Sequence, residues 1–240
     1  MNIRGITVSV NYSDLLSVGL DRWDAGLDDI LVVTSTSDYR TIKLCTEEHV
    51  PCFQTDIFYA NGAKFNKGAG LSEAILKTGW RTGADWLLVF DADIVPPENW
   101  RQIVESKSLT PGTLYGAWRY ELPENTPLDQ CNPAKGPKIH QSWVIGFFSL
   151  FQASDWHLPP IDQPLFETYW THAGNFDTSF SWKWARPAEQ RFLDLHMVHL
   201  GVQRQNWLGR GTGAELSRML GQRQHFYDVD RERIVPPEIK

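Results

Sequence analysis

Apolar runs of four or five residues alternate along the first hundred positions with stretches whose apolar residues recur at helical spacing. Ile6–Val10 reads as a first strand. Leu15, Leu16, Leu20 and Trp23 then share one face of a helix over Ser13–Trp23, despite Gly19. Ile30–Val33 is a second strand. Ser37 or Asp38 caps a helix to about Glu48, with Ile42 and Cys45 facing inward, and Pro51–Gln54 is a short third strand. This β-α-β-α-β alternation predicts a parallel sheet with helices on both faces. Beyond a polar loop, Asp56–Phe65, Asn66 caps a helix carrying Leu71, Ala74 and Ile75 on one face and closing near Gly79. Trp86–Phe90 is continuously apolar, the pattern of a central strand buried on both faces. Pro96-Pro97-Glu98 opens another helix, since proline in the first turn and an early acid suit a helix start.

The pattern changes from about residue 112. Leu114–Tyr120 and Trp143–Phe151 read as strands around a Pro-, Asn- and Lys-rich loop at 121–140. Phe176–Trp184 reads as a helix and Arg191–Leu200 as a last strand. Gln203–Lys240 is polar, with Gly209, Gly211 and Gly213 close together. Without a linker, the expectation is one α/β domain over 1–240: a nucleotide-binding half at about 1–111, an acceptor and sugar half at about 112–202, and a lid or tail at 203–240.

A chain of 240 residues buries a full core without staples. Cys45, Cys52 and Cys131 are scattered and include no C-x-x-C pair, which excludes a cysteine-based zinc motif and fits a reducing compartment. No basic segment leads into an apolar run at the amino terminus, and no stretch approaches the ~18–20 apolar residues of a membrane span. The expectation is a soluble, cytoplasmic protein. A net charge of −6 argues against a surface that grips nucleic-acid backbone. Eleven tryptophans fit either core positions or stacking platforms for sugars or bases.

The strongest chemical signal is at the end of the central strand. Asp91 and Asp93 follow Phe90 one residue apart, so on a strand they emerge on one face, at the carboxyl edge where open α/β sheets bind ligands. Adjacent carboxylates repel unless a cation or proton compensates. Mg2+ or Mn2+, held by few carboxylates and completed by substrate phosphates, meets that need. A strand-end turn with solvated acids is the alternative reading.

Phe65-Asn66-Lys67-Gly68, a helix, and then Leu87 through Pro96 resemble the core of GT-A glycosyltransferases of the family 2 type. Gly174-Asn175-Phe176-Asp177-Thr178-Ser179-Phe180 resembles that family's acidic G-x-E-D-x-D-F segment, although the family often has two adjacent acids where this chain has Phe176-Asp177. Val198-His199-Leu200-Gly201 resembles the late histidine of several metal-dependent members. Tyr115–Arg119 and Asn206–Arg210 are similar to segments of stand-alone bacterial and phage members.

The resemblance implies a GT-A fold and transfer of a sugar from a nucleotide-diphosphate donor to an acceptor hydroxyl, with inversion. The acceptor is open among a saccharide, a lipid-linked glycan, a protein and a modified nucleobase. Asp91, Asp93 and His199 are the implied ligands of Mn2+ or Mg2+, with Asp93 direct and Asp91 acting on the ribose or through water. His196 and His199 point to opposite faces of a strand, so only one of them meets the aspartates. Asp177 is the implied general base, or else a helix cap. Asn66 contacts the nucleotide sugar or only caps its helix, and Lys67 is a cation beside the nucleotide or a solvated lysine in a turn. Asp38 reads the base or caps its helix. Asn11 and Tyr12 line the same pocket or simply form a loop. Arg210, with Arg204 and Trp207, belongs to a lid over phosphates or to a surface tail. Gly146-Phe147-Phe148 forms a floor under the sugar. A sugar nucleotidyltransferase would share the fold, but its glycine-rich loop is replaced by Val10-Asn11-Tyr12-Ser13-Asp14. A non-catalytic sugar- or nucleotide-binding module is the remaining alternative.

Overall fold

The apolar run that dominates the sequence becomes strand β4, Trp86–Asp91, and its residues from Leu87 to Phe90 are no more than 1% exposed. Alternate side chains of this strand enter two different cores. Leu88 and Phe90 pack with Leu16, Leu20, Trp23 and Trp100, whereas Leu87 and Val89 pack with Leu71, Ala74, Phe151 and Phe180. The same alternation holds in β2 (Asp29–Thr34), where Ile30 and Val32 face one core and Leu31 and Val33 the other. A strand sealed on both faces carries no polar alternation, which is why these runs are continuously apolar.

The computed structural model describes residues 1–122, 128, 144–174, 176–184 and 190–200. Helices α1 (Ser13–Asp24), α2 (Tyr39–Glu47) and α4 (Trp100–Glu105) contribute to the first core. Helices α3 (Lys67–Thr78) and α5 (Phe176–Ser181) contribute to the second. The remaining strands are β1 (Ile3–Val8), β3 (Cys52–Gln54), β5 (Ile94–Val95), β6 (Leu114–Glu121), β7 (Phe148–Gln152) and β8 (Gln190–His199). Their order in the single sheet is β3-β2-β1-β4-β7-β6-β8-β5. The first four are parallel, β7 runs antiparallel to β4 and to β6, and β8 runs parallel to β6.

One connection bends the whole sheet. Only Ala92 and Asp93 separate β4 from β5, yet β5 pairs with β8, three strands away from β4 in the sheet. The two-residue link forces the sheet to curl until its far edge meets the carboxyl end of β4.

Several boundaries differ from the sequence pattern. β1 begins and ends earlier than Ile6–Val10, because Ile3 is already buried while Val10 lies beyond the ladder. β7 starts at Phe148, not Trp143. α4 begins at Trp100, after Pro96 and Pro97, and α5 gives way to a 3-10 turn at Trp182–Trp184. Ile57–Gly62, expected as open loop, forms 3-10 turns around a kink at Ala60 and Asn61. The tryptophans divide: Trp23, Trp100 and Trp184 are fully buried, whereas Trp156 and Trp182 are 70% and 64% exposed. Cys45 is a buried free thiol and Cys52 a partly buried one. Among the described residues, no helix is long and apolar enough to cross a membrane.

Helix α3 carries the first site residue, Lys67, and is seated by a close approach. A Cβ at Gly70 would lie 2.0 Å from the ring of Phe58, which is itself fully buried. Alanine favours a helix over glycine by about 1 kcal/mol, but overpacking a rigid aromatic costs about 1–3 kcal/mol. Gly70→Ala is therefore expected to destabilise the protein despite its better helix propensity. Urea unfolding measures this, and an increase in stability would contradict the packing.

Candidate functional site

The carboxyl ends of the parallel strands gather the polar residues. Asn11 follows β1 in a left-handed conformation (φ 62°) and its N–H donates to Asp38 Oδ2 at 2.6 Å, tying the end of β1 to the end of β2. Asp38 also accepts from the Thr34 hydroxyl at 3.0 Å and, through Oδ1, from the Thr41 N–H at 3.1 Å. It is thus the amino-terminal cap of α2 and a clamp between strands, 3% exposed. An ionised carboxylate has about four acceptor sites, so one remains. Tyr12 is buried in the first core beside Leu15 and Leu16.

Asn66 caps α3. Its Oδ1 accepts from the Ala69 N–H at 2.9 Å and its Nδ2 donates to the Thr168 carbonyl at 2.7 Å. Both ends of the side chain are committed, so what Asn66 delivers is the position of its neighbour. Lys67 is 8% exposed, with its ammonium against Asp91 Oδ1 and 5.1 Å from the Phe176 ring centroid. It is not a solvated turn residue.

The curl of the sheet supplies the rest. β5 pairs with β8 with Ile94 opposite His199, and the Leu200 N–H donates to the Asp93 carbonyl at 2.8 Å. His199 Nε2 consequently faces Asp93 Oδ2 at 3.3 Å, and His199 Nδ1 faces Glu121 Oε2 at 2.5 Å. His196 turns the other way and meets Asp194 at 3.3 Å. Asp93 and His199 are 6% and 5% exposed. Burial opposes the charge on His199, but Asp93 and Glu121 outweigh it and raise its pKa to about 9. Burial likewise opposes ionisation of Asp93, and the charges of His199, Lys67 and Arg119 overcome it, holding the carboxyl below its ordinary range.

Asp177 joins this cluster from α5. Its Oδ2 accepts from the Gly146 N–H at 3.0 Å and its Oδ1 from the Thr178 N–H at 2.8 Å. Burial raises its pKa, the two N–H groups oppose the rise, and the nearby charge of Asp91 adds to it, leaving the pKa above the usual value. A Cβ on Gly146 would lie 2.9 Å from Asp177 Cβ, so glycine is what permits this approach.

Asp91, Asp93, His199, Lys67 and Asp177 therefore share one locality, whereas Asp38, Asn11 and Asn66 form its hydrogen-bonded frame. Arg210 and Asn175 lie outside the described residues. Two participants are given no role by the sequence reading: Glu121, on His199, and Arg119, whose Nε is 3.0 Å from Glu121 Oε1 and whose guanidinium lies 5.5 Å from the Phe147 ring centroid. No local motif announces Glu121, and Arg119 figures there only as the end of the Tyr115–Arg119 segment.

Among the described residues no three His, Cys, Asp or Glu side chains form a complete metal cage. Two donors do fit a divalent ion. Ligands at adjacent corners of an octahedron, ~2.1 Å from the ion, stand about 3 Å apart, close to the 3.3 Å between His199 Nε2 and Asp93 Oδ2. Glu121 on the other ring nitrogen is the customary support of a ligating histidine. The remaining positions would fall to a ligand or water.

No protein-family model and no curated protein matches the chain. Solved structures do. A 1–349 portion of S. aureus TarS superimposes on 83% of this chain and 60% of its own, with a TM-score of 0.56 at 12% identity. A longer S. aureus TarS structure gives a TM-score of 0.53 at 11% identity over 83% of this chain and 36% of that one. The chain thus spans less than two thirds of either TarS chain. The architecture is the GT-A fold, a curled mixed sheet flanked by helices. Glucosyl-3-phosphoglycerate synthase from M. tuberculosis matches at a TM-score of 0.46 and 15% identity, over 85% of this chain and 73% of that one.

The charge on His199 links stability to pH. A histidine pKa raised on folding contributes stability fully present below about 6.5 and lost as pH rises through about 9. Urea unfolding in EDTA is expected to show stability falling by roughly 1–3 kcal/mol across that window. In His199→Gln the decline should vanish. An equal decline in the variant would assign the titration to another group.

Proposed function

We propose that the chain is a metal-dependent glycosyltransferase of the family 2 type, moving a sugar with inversion from a nucleotide-diphosphate donor to an acceptor hydroxyl. The observation that carries the reading is the convergence, on a GT-A sheet, of the β4 acids with a cation, a histidine and a third acid from distant elements. This is the carboxyl edge of the parallel strands, where such sheets hold their ligands.

Asp93 and His199 would hold Mn2+ or Mg2+, which when bound neutralises charge on the leaving nucleoside diphosphate. Lys67 places a second positive charge in the same locality, screened from water, where it favours an anion. Asn11, Tyr12 and Asp38 frame the nucleotide end at the tips of β1 and β2, with one acceptor site of Asp38 remaining for a base or ribose donor.

Asp177 takes the proton from the acceptor hydroxyl. The oxygen forms a bond to the anomeric carbon as the carbon–phosphate-oxygen bond breaks, and the electron pair leaves with the diphosphate. A carboxylate raised above its normal pKa is a better base, and the Gly146 and Thr178 N–H groups fix where it points. Asp91, paired with Lys67, keeps a negative charge beside Asp177 and so contributes to that basicity.

A thermal-shift comparison of UDP, GDP and TDP with Mn2+ should single out one base, because ligand binding to the folded state raises the melting temperature by mass action. With the matching nucleotide sugars, slow hydrolysis should be measurable and should fall roughly 100-fold or more in Asp93→Ala. Unchanged hydrolysis in that variant would sink the metal-site reading. Binding without any turnover would point to a non-catalytic module, and a transferred sugar with retained configuration would remove Asp177 from the base role.

A further inference from the structure

We infer that Glu121 is a positioning residue for the metal site: it fixes the ring orientation and tautomer of His199 so that Nε2 presents a lone pair beside Asp93. The inference rests on the metal-dependent reading above and assigns a role to a residue outside the acidic and histidine motifs.

The geometry is specific. Glu121 Oε2 lies 2.5 Å from His199 Nδ1, on the nitrogen turned away from Asp93, while Nε2 is the nitrogen 3.3 Å from Asp93 Oδ2. Glu121 is therefore placed to hold the ring and not to share an ion with Asp93. A carboxylate on Nδ1 makes that nitrogen the N–H donor of the neutral ring, which leaves Nε2 as the acceptor. The ring is buried, so it has little solvent to turn toward if this partner is lost.

Glu121 is itself held. Arg119 Nε is 3.0 Å from Oε1, and the Arg119 guanidinium sits 5.5 Å from the Phe147 ring centroid. The order Arg119, Glu121, His199, Asp93 thus runs from β6 across β8 to the turn after β4.

The backbone register brings the two residues opposite one another. β6 and β8 are parallel, and their pairing shifts by two residues between Gly116 and Trp118. Before the shift Gly116 is opposite Phe192; after it Trp118 is opposite His196 and Glu121 opposite His199. In the unshifted register Glu121 would stand opposite Met197. A two-residue shift keeps every side chain on its face, so its net effect is to carry the carboxylate along the same face from a methionine to the histidine.

Mn2+ alone, titrated into the full chain and followed by electron paramagnetic resonance, tests the assignment. The wild type should bind Mn2+ with an imidazole nitrogen coupling in the pulsed spectrum, and His199→Gln should lose that coupling. Glu121→Ala should bind roughly 10–100-fold more weakly with the coupling diminished. Glu121→Gln, which retains an acceptor for Nδ1–H, should recover most of the affinity. Circular dichroism in EDTA verifies that each variant is folded; if Glu121→Ala is not, the Gln variant and a Glu121→Asp variant, which withdraws the carboxylate by one methylene, carry the comparison. Wild-type affinity and undiminished nitrogen coupling in Glu121→Ala, or in Glu121→Asp where that stands in, would overturn the positioning role alone. Failure of the wild type to bind Mn2+ through nitrogen would overturn the metal reading and this inference together.

Discussion

A balanced set of buried charges at the end of β4 is the constraint around which the site is arranged. Asp91 faces Lys67, Asp93 faces His199, and His199 in turn faces Glu121, which is held by Arg119. A lone carboxylate as deeply buried as Asp93 would give up its charge; one bordered by cations keeps it. No stretch of the chain contains this balance by itself. Lys67 arrives on the first turn of α3, His199 at the end of β8, and Glu121 at the end of β6. The curl that accompanies the two-residue link between β4 and β5 is what brings His199 to Asp93.

This arrangement changes the meaning of the acidic pair. From the sequence, two carboxylates one residue apart demand a cation, and a metal ion is the economical source. In the folded chain each already has a cation of its own: an ammonium for Asp91, an imidazolium for Asp93. They are not equivalent. Asp91 is the last residue of β4 and its side chain is 32% exposed, whereas Asp93 lies in the turn and its side chain is 9% exposed. His199 Nε2 can carry a proton or act as a donor to a metal, but not both. The proton on Nε2 and the divalent ion proposed above would therefore compete for the same nitrogen.

Local sequence carried much of this, and its reach ends where local chemistry ends. The continuous apolar run of β4, the caps at Asp38 and Asn66, and the left-handed close at Gly79 are written in a few neighbouring residues each, and all four formed. Strand alternation put His196 and His199 on opposite faces, and the family resemblance, not the alternation, favoured His199. Glu121 was not separable from any other acid, because its role depends on the register between strands far apart in sequence and on a shift within that register. A two-residue strand such as β5 has no periodicity to detect, yet it decides the curvature. The frame residues show the converse. Asn66 and Asp38 drew notice as ligand contacts, and the fold spends most of their polar capacity on its own backbone.

The third acid shows how a buried carboxylate can be oriented by backbone N–H groups. Asp177 is oriented by two N–H groups, one from Gly146 just before β7 and one from Thr178 in its own helix. Such bonds favour the ionised form and would ordinarily lower a carboxyl pKa. Here burial and the charge of Asp91 more than offset them. The same two donors thus aim the carboxylate, and the basicity they remove is more than restored by burial and by Asp91. That combination requires the backbone of residue 146 to come within contact distance of Asp177, and only a residue without a Cβ allows it. Gly146 read as part of a floor under a sugar; its closer consequence is the orientation of the acid beside it.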